Sequence, residues 1–191
     1  MRAALRPVTR PLTCDDLWRI REASAERLEI IDGELFATSP STPMHQAISG
    51  RLSFEFGHAV GESHLGQVFF AMLDVRLAID TVVLPDIMII LRDRFATIAD
   101  WGIDGSPSLL AEIASTHSDY RDRALKPEIY ALCDVPEYWI VEPEDHHIRI
   151  FSNPRDGRYQ AEQTASDVVV SATIPGLRVD LATIVPPKFG D

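Results

Sequence analysis

The stretch VVLPDIMII, residues 82–90, decides the fold class because it places one acidic residue, Asp86, inside an almost unbroken apolar run. A second run of the same kind, SLLAEIAS at 108–115, contains Glu112. Short, nearly continuous apolar runs are typical of central strands that are covered on both faces. We therefore expect two adjacent strands within one mixed sheet spanning residues 66–141, each with a carboxylate in its middle.

Helices and further strands surround these two runs. Asp32-Gly33 between apolar runs is a strong hairpin signal, and Ser41 or Thr42 followed by Pro43 is typical of a helix start. The tail of the chain adds further short strands. The predicted elements are a short helix at 14–20, hairpin strands near 26–31 and 34–38, a helix from 43 to about 60, one long strand at 66–80 and a helix at 119–132.

Length and composition predict one ordinary globular domain. The chain has 191 residues, of which 46% are hydrophobic and 25% are charged. A typical domain has about 150 residues, so we expect a loose arm at 1–12, one domain at 13–185 and a tail at 186–191. No apolar run approaches the roughly 18 residues that a membrane-spanning helix needs, and no secretory signal is recognisable. A cytoplasmic protein without a membrane segment is therefore expected.

Charge and motif content exclude several functions. The formal net charge is −11, so a site for a phosphate backbone must be local rather than spread over the surface. Phosphate-binding glycine loops, nucleophile elbows and zinc-protease motifs are absent from the sequence. Cys14 and Cys133 lie far apart without ligand spacing, which argues against a zinc site or a disulfide framework.

The two carboxylates in apolar strands are the first candidates for chemistry. An ionised carboxylate buried without a partner costs several kcal/mol. If Asp86 and Glu112 are neighbours, they also repel by about 4 kcal/mol at 4 Å and an effective dielectric of 20. A divalent cation between them removes both problems. Alternatively, each carboxylate ends a strand or pairs with an arginine such as Arg76 or Arg123, or the two serve as acid and base in a glycosidase.

Lys126, in the predicted helix after the Glu112 strand, is the third candidate. Asp122 lies four residues before it, so the two side chains could form an ordinary surface pair. Pro127 follows directly and disfavours helical geometry at Lys126. The spacing alone does not distinguish a surface lysine from one that turns towards Glu112.

Five strings of the sequence resemble a known family. Pro-Asp on one strand and a glutamate on the next resemble the PD-(D/E)XK nuclease superfamily, whose core is a helix, three strands, a helix and a strand. More closely, the chain from about 12 to 181 resembles the Uma-type family of bacterial putative restriction endonucleases. The strings that carry this resemblance are RLEIIDGELFATSPSTPMHQ, VVLPDIMII, EIAS, RDRALKPEIY and VPEYWIVEP.

The resemblance implies an α/β (α+β) restriction-endonuclease-like fold, with a mixed central sheet flanked by helices, an N-terminal hairpin and extra C-terminal strands. It also implies that Asp86 and Glu112 hold Mg²⁺ or Mn²⁺ while a lysine positions the attacking water. The superfamily lysine usually stands two residues after the glutamate, where this chain has Ala114. In the Uma-type family it has moved to the following helix, at the position of Lys126.

The implied activity is metal-dependent hydrolysis of phosphodiester bonds in DNA by an endonuclease, with a two-fold homodimer as the default assembly. The alternative is a catalytically silent nuclease-fold module that binds a partner or forms oligomers, which the acidic charge favours. Further residues that match the family pattern or lie near the lysine are Glu34, His45 and Gln46 as auxiliary groups and Arg121 and Arg123 as phosphate contacts.

Overall fold

A computed structural model describes residues 10–38, 40–61, 64–70, 72–114 and 121–187, without the side chains of 121 and 122. Within these ranges the chain forms two six-stranded sheets, a two-stranded sheet and four α-helices. The helices are α1 (Cys14–Glu22), α2 (Pro43–Gly61), α3 (Lys126–Leu132) and α4 (Leu181–Ile184). The strands are β1 (Leu28–Ile31), β2 (Glu34–Ala37), β3 (Gly66–Phe70), β4 (Val75–Ala78), β5 (Thr81–Val83), β6 (Ile87–Leu91), β7 (Ile98–Ala99), β8 (Gly102–Asp104), β9 (Leu109–Ile113), β10 (Glu137–Glu142), β11 (His147–Arg155), β12 (Arg158–Ala165), β13 (Val168–Val170) and β14 (Arg178–Asp180). A 3₁₀ helix spans Arg92–Thr97, and a π-helical turn spans Arg121–Leu125.

The first sheet has the strand order β2-β1-β5-β4-β8-β7. Its β1–β2 hairpin confirms the sequence prediction, since Asp32 and Gly33 both have positive φ, 50° and 75°. A two-residue turn of this kind matches the twist of the flanking strands. Gly33 is also required by space, because a Cβ added there would lie 2.4 Å from the Cβ of Pro11.

The second sheet has the order β12-β11-β10-β9-β6-β3 and contains the expected nuclease-like core. Strand β6 runs antiparallel to both of its neighbours, β3 and β9, whereas β9 and β10 run parallel and are connected through α3. The order α2, β3, β6, β9, α3, β10 is the helix, three strands, helix and strand that the resemblance implied. The fold class is therefore confirmed.

The prediction of a single sheet over residues 66–141 is wrong. The run at 82–90 divides at Leu84-Pro85-Asp86, with β5 in the first sheet and β6 in the second. Pro85 has no N–H donor and a fixed φ, so the ladder cannot continue through it. Asp86 therefore lies just before β6 rather than in mid-strand. The predicted adjacency is confirmed for β6, which pairs with β9 through Ile87 opposite Ala111.

The predicted long strand at 66–80 also divides between the two sheets. Strand β3 pairs with β6, whereas β4 pairs with β5 and β8. Met72, between β3 and β4, has a φ of 46°, which a continuous strand does not permit for a non-glycine residue. The chain thus leaves the second sheet and enters the first at this point.

Each face of the second sheet packs against a different part of the chain. One face meets α2, α4 and the small sheet through a core that includes Leu52, Phe56 and Trp139. The other face meets α3 and the first sheet through a core that includes Met88 and Tyr138. Among the described helices, none combines the length and hydropathy needed to cross a bilayer.

The predicted helix at 119–132 is present in part. Residues 115–120 lie outside the described ranges; from Arg121 the backbone forms a π-helical turn that continues into α3 at Lys126. Pro127 occupies the first turn of α3, where a missing N–H donor costs little. Lys126 is thus the first residue of α3, at its junction with the π-helical turn.

Candidate active site

Asp86 is held at the start of β6 by two neighbours. Its Oδ2 atom accepts a hydrogen bond of 2.8 Å from the backbone N–H of Ile113 and lies 3.0 Å from Nε2 of His45. Continuing the β6–β9 register by one step from the Ile87–Ala111 pair places Asp86 opposite Glu112. The side chain of Asp86 is 22% exposed, so solvent can reach it.

His45 reaches Asp86 from the first turn of α2. The hydroxyl of Thr42 accepts a hydrogen bond from the backbone N–H of His45, which confirms the predicted helix start. Nδ1 of His45 is buried and has no hydrogen-bond partner in the part of the chain that the structure describes. The imidazole therefore contacts Asp86 through one nitrogen, while the other faces the protein interior.

Glu112 is a buried carboxylate in the middle of β9, as the sequence predicted. Its Oε1 atom accepts hydrogen bonds from Nζ of Lys126 at 2.6 Å and from the hydroxyl of Tyr130 at 3.1 Å. Both donors belong to α3, one turn apart. Because side chains alternate along a strand, Glu112 shares its face with Leu110, towards α3 and the first sheet.

Lys126 lies inside the protein rather than on its surface. Its side chain is 4% exposed, which excludes the simple surface pair considered for Lys126 and Asp122; the side chain of Asp122 lies outside the described structure. The ammonium group contacts Glu112 at 2.6 Å and Oε1 of Glu29 at 3.5 Å. An ammonium in this position needs such partners, because burial of an unpaired charge is costly.

Glu29 is a residue of this site that the sequence reasoning missed. It is fully buried in β1, and its Oε1 atom accepts a hydrogen bond of 2.7 Å from the backbone N–H of Leu84. The signal was present in LEII at 28–31, where an acidic residue interrupts an apolar run as Asp86 and Glu112 do.

Glu29 and Glu112 therefore both contact Lys126, and Asp86 lies opposite Glu112 in the extended strand register, so three carboxylates and one ammonium group form a cluster between the two sheets. Glu29, Asp86 and Glu112 outnumber Lys126, so the formal charge of the cluster is negative. Carboxylate oxygens are the ligands that Mg²⁺ and Mn²⁺ prefer, and a divalent cation would offset the excess charge. Asp86, which is partly exposed, and the buried Glu112 opposite it offer carboxylate oxygens that fit such an ion.

Two of the three proposed auxiliary residues lie apart from this cluster. Glu34 and Gln46 are exposed, and neither has a described contact with Asp86, Glu112 or Lys126. His45 is the auxiliary residue that the structure brings to the cluster.

Of the two arginines proposed for phosphate contact, the structure describes the side chain of one. The side chain of Arg121 lies outside the described residues. Arg123 pairs with the buried Glu142 at 2.6 Å and with Asp145 at 3.5 Å. Glu142, Asp145 and His147 form a group of metal-ligand type whose atoms lie within 4.8 Å of one another. Because the guanidinium of Arg123 pairs with both carboxylates and offsets part of their charge, we assign no metal to this group.

The order of helices and strands around the second sheet is that of a restriction-endonuclease-like fold. The profile of the Uma2 family, described as "Putative restriction endonuclease", matches residues 14–182. The chain belongs to the Uma2 family.

A solved structure of a nuclease-like protein shares this fold. The crystal structure of a putative nuclease belonging to DUF820 from Anabaena variabilis ATCC 29413 is similar with a TM-score of 0.69 and 17% identity, over 92% of this chain and 98% of that one. The type IIG restriction endonuclease BpuSI is similar with a TM-score of 0.40 and 14% identity, over 65% of this chain and 14% of that one. A search of curated proteins found no match.

Proposed function

We propose that this protein is a metal-dependent endonuclease that hydrolyses phosphodiester bonds in DNA. The observation that supports this most strongly is the buried contact of 2.6 Å between Nζ of Lys126 and Oε1 of Glu112, beside Asp86. Buried ion pairs are often no more stabilising than apolar residues of similar volume, which favours a chemical role for this pair over a purely structural one. Membership of the Uma2 family points to the same activity.

Asp86 and Glu112 would hold the metal, which we propose to be Mg²⁺ or Mn²⁺. When bound, the ion supplies a water of lowered pKa and stabilises negative charge on the phosphate. Before any ion binds, the backbone N–H of Ile113 and the side chain of His45 hold one oxygen of Asp86 in place. A carboxylate oriented in advance does not lose rotational freedom when the ion arrives.

Lys126 would orient the attacking water and offset charge on the phosphate. An ammonium has three N–H donors, and its contacts with Glu112 and Glu29 leave it anchored in one place. Tyr130 holds the same oxygen of Glu112 from the next turn of α3, so the lysine and the carboxylate move together. We propose these residues as the catalytic group, with His45 as an auxiliary that orients Asp86.

DNA would approach from the exposed side of Asp86. Arg121 and Arg123 precede Lys126 on the same segment and remain our proposed phosphate contacts, with Glu34 and Gln46 as more distant auxiliary residues. Because the net charge is −11, binding must rely on such local groups and on the metal. We further propose a single domain over 13–185, a cytoplasmic location and a homodimer, which could place one site on each strand.

The test is cleavage of supercoiled plasmid and of matched DNA and RNA duplexes with Mg²⁺, Mn²⁺ or EDTA. We expect DNA cleavage with either ion, none with EDTA, and none for Asp86→Asn or Glu112→Gln. Glu162→Gln, an exposed glutamate paired with Arg149, is the control and should cleave as the wild type does.

Two results would contradict the proposal. Cleavage of RNA alone would refute DNA as the substrate. A protein that binds no divalent ion and cleaves neither substrate would instead support the silent module, and sedimentation would then measure whether it forms oligomers.

A further inference from the structure

Glu29 is the one member of the charged cluster that comes from the first sheet. Its carboxylate accepts a hydrogen bond from Leu84, in the segment that leads to Asp86, and lies 3.5 Å from the ammonium of Lys126. A single side chain thus contacts the segment before one proposed metal ligand and the proposed catalytic lysine.

The folding of β1 does not require an acid at this position. Leu28, Ile30 and Ile31 are buried apolar residues, and an apolar side chain at position 29 would avoid the cost of burying a charge. Buried ion pairs are often less stabilising than apolar residues of similar volume. A carboxylate that is fully buried here is therefore better explained by what it contacts than by packing.

The contact of Glu29 that bears on the proposed chemistry is the one with Lys126. In this structure the ammonium contacts Glu112 at 2.6 Å and Glu29 at 3.5 Å. Glu112 is also a proposed metal ligand, so a bound cation would compete with Lys126 for the same carboxylate. Without an anion other than the two proposed metal ligands, either the ammonium or the metal would be disfavoured.

We propose that Glu29 is a positioning residue that retains the charged Lys126 beside the site while Glu112 binds the metal. This role rests on the proposed nuclease function. When Glu112 binds the metal, Glu29 remains as the negative charge beside Lys126. The hydrogen bond from the backbone N–H of Leu84 holds the Glu29 carboxylate next to the segment that carries Asp86. The lysine and the metal can then be present together.

The experiment compares Glu29→Gln with Glu137→Gln. Glutamine keeps the shape of residue 29 and an oxygen for Leu84 but removes the charge near Lys126. Glu137 is equally buried but lies on the opposite face of the second sheet, where it accepts hydrogen bonds from Trp139 and Ser171. Mn²⁺ affinity is measured by calorimetry and cleavage by single-turnover kinetics.

For Glu29→Gln we expect a loss of about 10-fold or more in both Mn²⁺ affinity and cleavage rate, as for other groups that orient metal-site residues. The affinity falls because Lys126, without Glu29, competes for Glu112. Glu137→Gln should keep wild-type Mn²⁺ affinity, although it lowers the melting temperature. In a Lys126→Met background the Glu29 change should lower Mn²⁺ affinity by less than about threefold, since no ammonium remains to compete.

The outcomes separate the two proposals. If the wild type binds Mn²⁺ and cleaves DNA but Glu29→Gln does the same, the role of Glu29 is refuted and the nuclease function stands. Equal losses with and without Lys126 would also refute it, because Glu29 would then act independently of the lysine. If the wild type itself neither binds nor cleaves, the nuclease function fails first. Should Glu29→Gln not fold, Glu29→Met replaces it, since methionine also removes the charge and has a similar length, and wild-type Mn²⁺ affinity for that variant refutes the role.

Discussion

Replacing Lys126 with methionine removes the ammonium but keeps a side chain of similar length. The ammonium lies 2.6 Å from Glu112 and 3.5 Å from Glu29. The side chain of Lys126 is 4% exposed, that of Glu112 is 7% exposed and that of Glu29 is fully buried. At an effective dielectric of 20 the gross attractions are about 6 and about 5 kcal/mol, and desolvation offsets most of this. Removing one partner of a buried pair costs roughly 3–5 kcal/mol, because the remaining charge stays buried. For a chain of this size, about 2–4 °C per kcal/mol gives a fall of about 6–20 °C in melting temperature.

The assay is thermal unfolding of the metal-free protein at neutral pH, followed by circular dichroism. Arg19→Met is the control, since it removes one positive charge from a side chain that is 73% exposed and 3.6 Å from Asp16. Adding Glu112→Gln to Lys126→Met should recover part of the loss, because fewer unpaired charges then remain buried. A fall below about 4 °C for Lys126→Met, or one equal to that of Arg19→Met, would refute the buried pair as a source of stability.

Three further predictions follow from the same structure. Glu112→Gln should lower the free energy of unfolding in urea by about 3 kcal/mol, because it leaves Lys126 without its closest partner. Asp86→Asn should change it by less than about 1 kcal/mol, because the side chain is partly exposed and can still accept a hydrogen bond from a backbone N–H. Gly33→Ala should destabilise by more than about 1 kcal/mol, because φ is +75° and space is lacking; no change would refute the turn. The hydrogen bond from Arg10 lowers the pKa of Asp16 from 3.8 to about 2. Asp16→Asn should therefore be less stable than the wild type at pH 7, and this difference should vanish as pH falls from 3.8 through 2. A difference in stability that does not depend on pH would contradict this.

Local patterns account for the elements that could be predicted. The hairpin at Asp32-Gly33 and the start of α2 at Thr42 depend on residues within a few positions, and both are present. The adjacency of β6 and β9 also followed from local composition, since two short apolar runs both need cover on two faces.

The division into two sheets could not be predicted from the same patterns. Apolar periodicity does not state which sheet a strand joins, and the run at 82–90 is equally apolar on both sides of Pro85. The run breaks at the proline, and the partner strands, β1 and β4 on one side and β3 and β9 on the other, are set by packing between distant segments. For residues 66–80, too, the apolar pattern predicts one strand because it contains no information about the partner strands.

The position of Lys126 and the role of Glu29 are non-local for a similar reason. A lysine four residues after an aspartate is compatible with a surface helix, and only the packing of α3 on the second sheet turns it towards Glu112. Glu29 lies 97 positions before Lys126, so no spacing rule connects them, although its place in an apolar strand was a usable signal.

The break at Pro85 also explains how the site is assembled. If the run at 82–90 were one strand, Asp86 would be fixed in a single ladder, and Leu84 would direct its N–H to a neighbouring strand. Because the strand ends at Val83, the N–H of Leu84 is donated to Glu29 and the carboxylate of Asp86 accepts from Ile113. The same three residues therefore connect the two sheets, with Leu84 bound to Glu29 in the first sheet and Asp86 bound to Ile113 in the second. A substitution that restores strand geometry at Pro85 would separate these contacts even if it left every charged residue in place.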